Sequence, residues 1–154
     1  MPQKSFIPVL RELARAYQEF ESFSASHIRA LDLTPSQFDI VATLGNTDGM
    51  SFKELGEKTL ITKGTLTGVV DRLEAKNLVK RIASTRDGRS QTVQLTHKGE
   101  TLFARIFPAH MSHVGQAFAT FSQEDLDNMV ATLYRLRVAF SSASTKANHT
   151  CSTT

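Results

Sequence analysis

Two helix starts stand eleven residues apart near the middle of the chain, and their closeness limits what that stretch can become. At each, an oxygen-bearing residue follows one apolar residue and precedes another by four positions: Met50-Ser51-Leu55 and Ile61-Thr62-Leu66. That is the pattern of an N-cap with a hydrophobic staple. A short helix over 52–58 must therefore end, turn through Thr59 to Ile61, and restart as a longer helix over 63–76. Leu55, Leu60, Leu66, Val69, Val70 and Leu73 fall where the two can pack together, which predicts a helix-turn-helix.

The same grammar recurs at Leu33-Thr34-Phe38 and Phe121-Ser122-Leu126, placing helices over 35–45 and 123–141. Gln37, Glu54 and Asp125 supply an acceptor at the third helical position, and Pro35 takes the first, where its missing donor costs nothing. From Phe6 to Leu31 the apolar residues Leu10, Leu13, Tyr17, Phe20 and Ile28 recur at helical spacing, predicting one long amphipathic helix. Its apolar stripe is more than a small domain covers, so part of it is expected to meet a second chain; the alternative is that it lies along the chain's own core. From Lys98 a further helical pattern runs through Leu102, Phe103 and Ile106, with Pro108 expected to bend or interrupt it. Residues 142–154 carry no apolar period and are expected to form a disordered tail.

Asn77 can close the longer helix in a left-handed conformation. Leu78 to Ile82 and Thr92 to Leu95 then read as two strands of a hairpin, with Asp87-Gly88 at the centre of a basic tip, Thr85 to Ser90. A helix-turn-helix followed by a basic hairpin is a winged helix. The charge distribution agrees: residues 51–98 hold 10 basic and 5 acidic side chains, a net +5 that exceeds the +3 of the whole chain. Such focusing suits a surface that faces phosphates.

A helix that enters a major groove does so with its first turns, where little bulk is tolerated. Thr62, Lys63, Gly64, Thr65, Thr67 and Gly68 occupy those turns. Thr62 and Thr65 can donate to phosphates or bases, Thr67 offers a methyl to thymine, and Lys63 can neutralise a phosphate or reach guanine. Arg72 is placed to clamp a phosphate or, with Asp71 and Glu74 beside it, to form a surface ion pair. At the tip, Arg86 and Arg89 can enter a minor groove, and Asp87 can orient the Arg89 guanidinium.

The stretch from Leu33 to Glu100 resembles the DNA-binding lobe of the MarR/SlyA family of bacterial transcription regulators. The resemblance rests on Leu33-Thr34-Pro35-Ser36-Gln37-Phe38, on Thr65 to Glu74 with Leu78-Val79 after it, and on Arg86-Asp87-Gly88-Arg89 followed by Val93 to Gly99. Gly88 departs from it, since many members carry another arginine there. The implied fold class is mainly α: a winged helix-turn-helix with an α/β wing over 33–98, and a helical dimerisation region over 5–32 and 99–141. The resemblance implies a homodimer that binds double-stranded pseudo-palindromic operator DNA through the helix from Lys63 and through Asp87 and Arg89. It also implies a repressor released by a small aromatic or phenolic ligand, with Arg15, Tyr17, His27 and Phe38 as candidates to line the pocket.

Other functions find less support. His110 and His113 are three apart and compatible with zinc, but no third ligand is named by spacing, and no metal or other cofactor is expected. The single cysteine, Cys151, excludes an intrachain disulfide, and no nucleophile–base arrangement or phosphate cradle marks an enzyme. No apolar run approaches the roughly 20 residues of a membrane span, and no signal peptide follows Met1, so a soluble cytoplasmic protein is expected. A winged-helix protein-interaction module, or a DNA-organising protein of low specificity, are the alternatives to a sequence-specific regulator.

Overall fold

Pro8 in the first turn starts α1, Ile7–Ala30, and the chain leaves that helix through Asp32, whose φ is +60°. The computed structural model describes residues 5–59, 61–83 and 90–150, the last four as backbone only; it forms two units, one ending at Gly115 and one beginning at Gln116. Of the α1 stripe only Ser24, Ala25 and Ile28 are buried, while Phe6, Ile7, Val9 and Leu10 stay exposed.

Helix α2, Pro35–Leu44, opens with a complete capping box: Gln37 N–H donates to Thr34 Oγ1 and Thr34 N–H to Gln37 Oε1, both at 3.2 Å. Ser51 and Glu54 repeat the device at the start of α3, Phe52–Lys58. Helix α4, Lys63–Ala75, ends at Asn77 with φ +58°, the left-handed residue expected there, and Leu78 N–H donates back to the Leu73 carbonyl at 2.9 Å.

Three antiparallel strands follow the order β1-β3-β2. The hairpin pairs β2, Val79–Ala83, with β3, Gln91–Leu95, in the register Val79↔Leu95 to Ala83↔Gln91. The two-residue β1, Met50–Ser51, adds to the far edge of β3 and was not anticipated, because Met50 reads locally as a staple and its partner, Val93, is distant in sequence. Behind this sheet, Ile40, Leu44, Leu55, Leu66, Leu73 and Val93 are almost fully buried in one cluster, each such side chain contributing about 1.5–3 kcal/mol. Leu60, expected in the same core, lies outside the described residues.

Helix α5, His97–Gly115, crosses the winged part at close range: a Cβ on Gly99 would collide with the Leu78 carbonyl. Thr96 N–H donates to that carbonyl at 3.0 Å and Lys98 Nζ to the Lys76 carbonyl at 2.9 Å, tying the end of α4 to the start of α5. Pro108 lies inside α5 without interrupting it. Proline removes one helical hydrogen bond, and the flanking buried residues Ile106 and His110 anchor the helix on both sides.

In the second unit, a 3₁₀ turn, Gln116–Phe118, precedes α6, Gln123–Thr150. Asp125 completes a capping box with Ser122: Ser122 N–H donates to Asp125 Oδ2 at 2.9 Å and Asp125 N–H to Ser122 Oγ at 3.2 Å. The helix continues to Thr150, so residues 142–150 are helical where a disordered tail was expected. No Gly or Pro interrupts this stretch, and Ser144 and Thr145 fold their hydroxyls onto the Phe140 and Ser141 carbonyls, at 3.0 and 3.1 Å. Through residue 146 no side chain of α6 is buried.

Candidate nucleic-acid interface and ligand groove

Helix α4 turns Leu66, Val69, Val70 and Leu73 into the core, which directs the intervening positions outward. Thr62, Lys63, Gly64, Thr65, Thr67 and Arg72 are exposed and Gly68 is half-buried, so the structure brings all seven of these expected residues to one outer surface. A Cβ added at Gly64 or Gly68 would meet nothing within 4 Å. Packing among the described residues therefore does not ask for glycine at either position, although an interior helical glycine costs about 0.8–1 kcal/mol relative to alanine.

The start of α4 also lacks the side-chain cap that opens α2, α3 and α6. Thr62 makes no side-chain cap; its hydroxyl donates instead to Thr65 Oγ1 at 3.2 Å. No acidic residue occupies the first turn, so the positive end of the helix dipole is uncompensated beside Lys63.

The ion pair considered for Arg72 does not form. Asp71 and Glu74 are both engaged by Arg81, which reaches across from β2, and among the described residues no carboxylate pairs with Arg72. Hydrogen bonding to Asp71 is the leading cause that raises the Arg81 pKa above its ordinary value. Arg81 was missed in sequence because nothing in its strand pattern marks a partner on α4. Lys76 and Lys98 are likewise occupied by backbone carbonyls, Lys76 by that of Asp32 ahead of α2 at 3.4 Å and Lys98 by that of Lys76 at 2.9 Å. The exposed positive charge on α4 is thus carried by Lys63 and Arg72. Arg86, Asp87 and Arg89 lie outside the described residues, beyond the last hairpin pair, Ala83↔Gln91.

A groove of about 1060 Å³ runs between α1, α2 and α5. Tyr17, Phe20, Phe38, Phe107 and Met111 give it aromatic and apolar walls, and its charged lining is mixed, Arg29 and Lys58 with Glu21 and Asp39. Of the four residues expected to line a pocket, Tyr17 and Phe38 do; Arg15 and His27 do not. Arg15 is held by Glu12 at 3.3 Å on the exposed face of α1, two residues out of phase with Tyr17. His27 points instead into α5. Phe20 was within reach of sequence reasoning, three residues after Tyr17 on the same helical face, whereas Phe107 and Met111 required knowledge of how α5 packs.

His110, also a lining residue, is buried beneath the groove and joins three helices. Its Nε2 lies 3.1 Å from Ser24 Oγ and its Nδ1 3.2 Å from His27 Nδ1. Phe23, His113, His27, His110 and Phe38 form a continuous run of ring contacts, with centroid separations of 4.2, 4.6, 5.3 and 4.5 Å. His110 and His113 thus share a face, as expected, but it faces His27; among the described residues no three His, Cys, Asp or Glu side chains are arranged to hold a metal ion.

Burial, with smaller contributions from His27 and His113, lowers the His110 pKa below its ordinary 6.5. Well above pH 6.5 the group is neutral whether folded or unfolded. As pH falls below that, the unfolded chain takes up the proton first, and stability is lost until the lowered folded pKa has been passed. Thermal unfolding followed from pH 8 to 5 is therefore expected to show a steeper acid loss for the wild type than for His110→Phe; parallel curves would remove His110 as the cause.

The comparisons with known proteins agree with this geometry. Residues 33–91 match the model of the MarR family. The HTH-type transcriptional regulator MhqR of Bacillus subtilis (strain 168) is 32% identical over 124 residues, covering 80% of this chain and 86% of its own length. The structure of BpsR from Bordetella bronchiseptica, whose DNA binding is regulated by 6-hydroxynicotinic acid, aligns with a TM-score of 0.74 at 26% identity, over 84% of this chain and 98% of that one. AbsC from Streptomyces coelicolor, a MarR family regulator, aligns with a TM-score of 0.81 at 20% identity, over 92% of this chain and 99% of that one, a likeness of fold. Such relatives are transcriptional regulators and not enzymes. With its winged helix and its match to these regulators, the chain belongs to the MarR family of DNA-binding transcriptional regulators.

Proposed function

We propose that this protein is a cytoplasmic, homodimeric repressor that reads a pseudo-palindromic operator with α4 in successive major grooves and releases it when a small aromatic or phenolic acid enters the groove. The observation that carries the DNA reading is the open glycine stripe of α4: Gly64 and Gly68 leave space that no part of the described chain fills, at a cost to helix stability. Close approach to a duplex accounts for that cost. Thr62, Lys63, Thr65, Thr67 and Arg72 flank the stripe with donors and positive charge, and Arg86, Asp87 and Arg89 belong to the segment that would follow the adjacent minor groove.

The dimer is supported by exposed apolar residues in both units, Phe6 to Leu13 on α1 and Val130 to Phe140 on α6, which a single chain leaves in water. Two lobes about one helical turn of DNA apart, roughly 34 Å, would then occlude polymerase. The ligand reading is supported by the aromatic walls of the groove and by the aromatic acid that regulates DNA binding by BpsR.

Selection of genomic fragments at low salt, followed by sequencing, tests this function. One enriched palindrome is expected, bound at least about 10³-fold more tightly than shuffled DNA. Arg89→Ala is expected to weaken that binding about tenfold or more and to flatten its salt dependence, and hydroxylated aromatic carboxylic acids are expected to release the fragment. Retention of no fragment would return the chain to the protein-interaction alternative, and equal affinity for shuffled DNA to a DNA-organising role.

A further inference from the structure

Asp71 and Glu74 lie four and seven residues beyond Thr67, so the helical repeat places them in line with the exposed stripe of α4. Two carboxylates in that line would stand within a Debye length, about 8 Å, of the backbone of any duplex laid along the stripe. One residue from another element holds both. Arg81, at the base of the wing on β2, donates from one terminal nitrogen to Asp71 and from the other to Glu74 at 2.6 Å. The guanidinium also sits 5.6 Å from the centre of the Phe52 ring on α3, and its side chain is 23% exposed against 56% for Asp71 and 40% for Glu74. The charged group furthest from water is thus the one that bridges recognition helix, wing stem and α3.

We infer that Arg81 is a positioning residue for DNA binding: without touching the duplex, it masks the negative charge of the recognition helix and fixes the wing stem to it. The inference rests on α4 being the helix that meets DNA. Arginine suits the task better than lysine, because its planar fork can serve two carboxylates at once while remaining over an aromatic face. By engaging Asp71 and Glu74 it also leaves the neighbouring Arg72 outward and available to phosphate. Sequence alone counts Arg81 toward the basic surface; the structure assigns it to cancelling acid.

The test is a charge cycle in the full-length protein, binding the fragment recovered by selection at several salt concentrations. Arg81→Gln is expected to weaken binding about tenfold or more near physiological salt, with the deficit shrinking as salt rises. Adding Asp71→Asn and Glu74→Gln to that variant is expected to restore most of the affinity, since the repulsion has gone with its source. Asp71→Asn with Glu74→Gln in the presence of Arg81 should bind at least as tightly as wild type, and Arg81→Lys should fall between wild type and Arg81→Gln. A triple variant as weak as Arg81→Gln would overturn the inference, because it would mean that Arg81 contacts DNA itself or serves only the fold. Should Arg81→Gln not fold, the triple variant and Arg81→Lys carry the same comparison against wild type. Wild-type affinity in Arg81→Gln overturns the masking role alone, whereas absence of any binding by wild type brings down the DNA reading and this inference together.

Discussion

Replacing Gly64 and Gly68 together by alanine is expected to make the protein more resistant to heat and a poorer DNA binder at the same time. Beyond its own stretch of helix, neither new methyl group would meet an atom of the described residues within 4 Å. The gain is that of helix propensity, about 1 kcal/mol at Gly68 and less at Gly64, which lies in the first turn. For a chain of this size that corresponds to a rise in Tm of a few degrees. Affinity for the operator is expected to fall tenfold or more, because the two methyls stand where backbone and base edges would come closest. Calorimetry and a binding isotherm on the same preparation check both halves. Higher Tm with unchanged affinity would show that the stripe does not approach DNA, and lower Tm would show that the open space is filled within the folded protein.

The second large effect concerns α6. Val130 and Leu133 are 68% and 55% exposed, so the single chain has little packing to lose there. If the proposed dimer forms through α6, Val130→Asp with Leu133→Asp is expected to leave the circular dichroism spectrum intact and to give a monomer in sedimentation where the wild type sediments as a dimer. Operator affinity should then drop by about 10²-fold or more, because the second half-site no longer benefits from being held beside the first. A variant that remains dimeric would remove α6 from the interface, and a monomer that still binds the full operator tightly would remove the need for two lobes.

The helix starts were legible because a cap is a local event. Thr34 with Gln37, Ser51 with Glu54 and Ser122 with Asp125 each close within four residues, and all three form as read. The turn at Asn77 is equally local. What sequence could not show depends on partners brought together by the fold. The two residues of β1 have no period of their own and exist as a strand only because β3 offers an edge. Arg81 finds Asp71 and Glu74 because the chain reverses at Asn77 and runs back along α4, a relation that no helical or strand repeat expresses. Arg15 and His27 share a helix with Tyr17, but a helix has several sides, and theirs face Glu12 and α5 rather than the groove. The C-terminal extension of α6 was missed for another reason: the end of an apolar period marks the end of a buried face, whereas a helix ends only where residues break it.

The placement of the aromatic residues has a practical consequence for anyone studying this molecule in solution. The chain has no tryptophan and two tyrosines, Tyr17 on the groove and Tyr134 on α6 beside Arg137. Its intrinsic ultraviolet emission is therefore the sum of two lamps, one in each unit. With Tyr134→Phe the remaining light comes from the groove wall, and with Tyr17→Phe it comes from the unpartnered helix, so occupancy and assembly can be followed separately without attaching a dye.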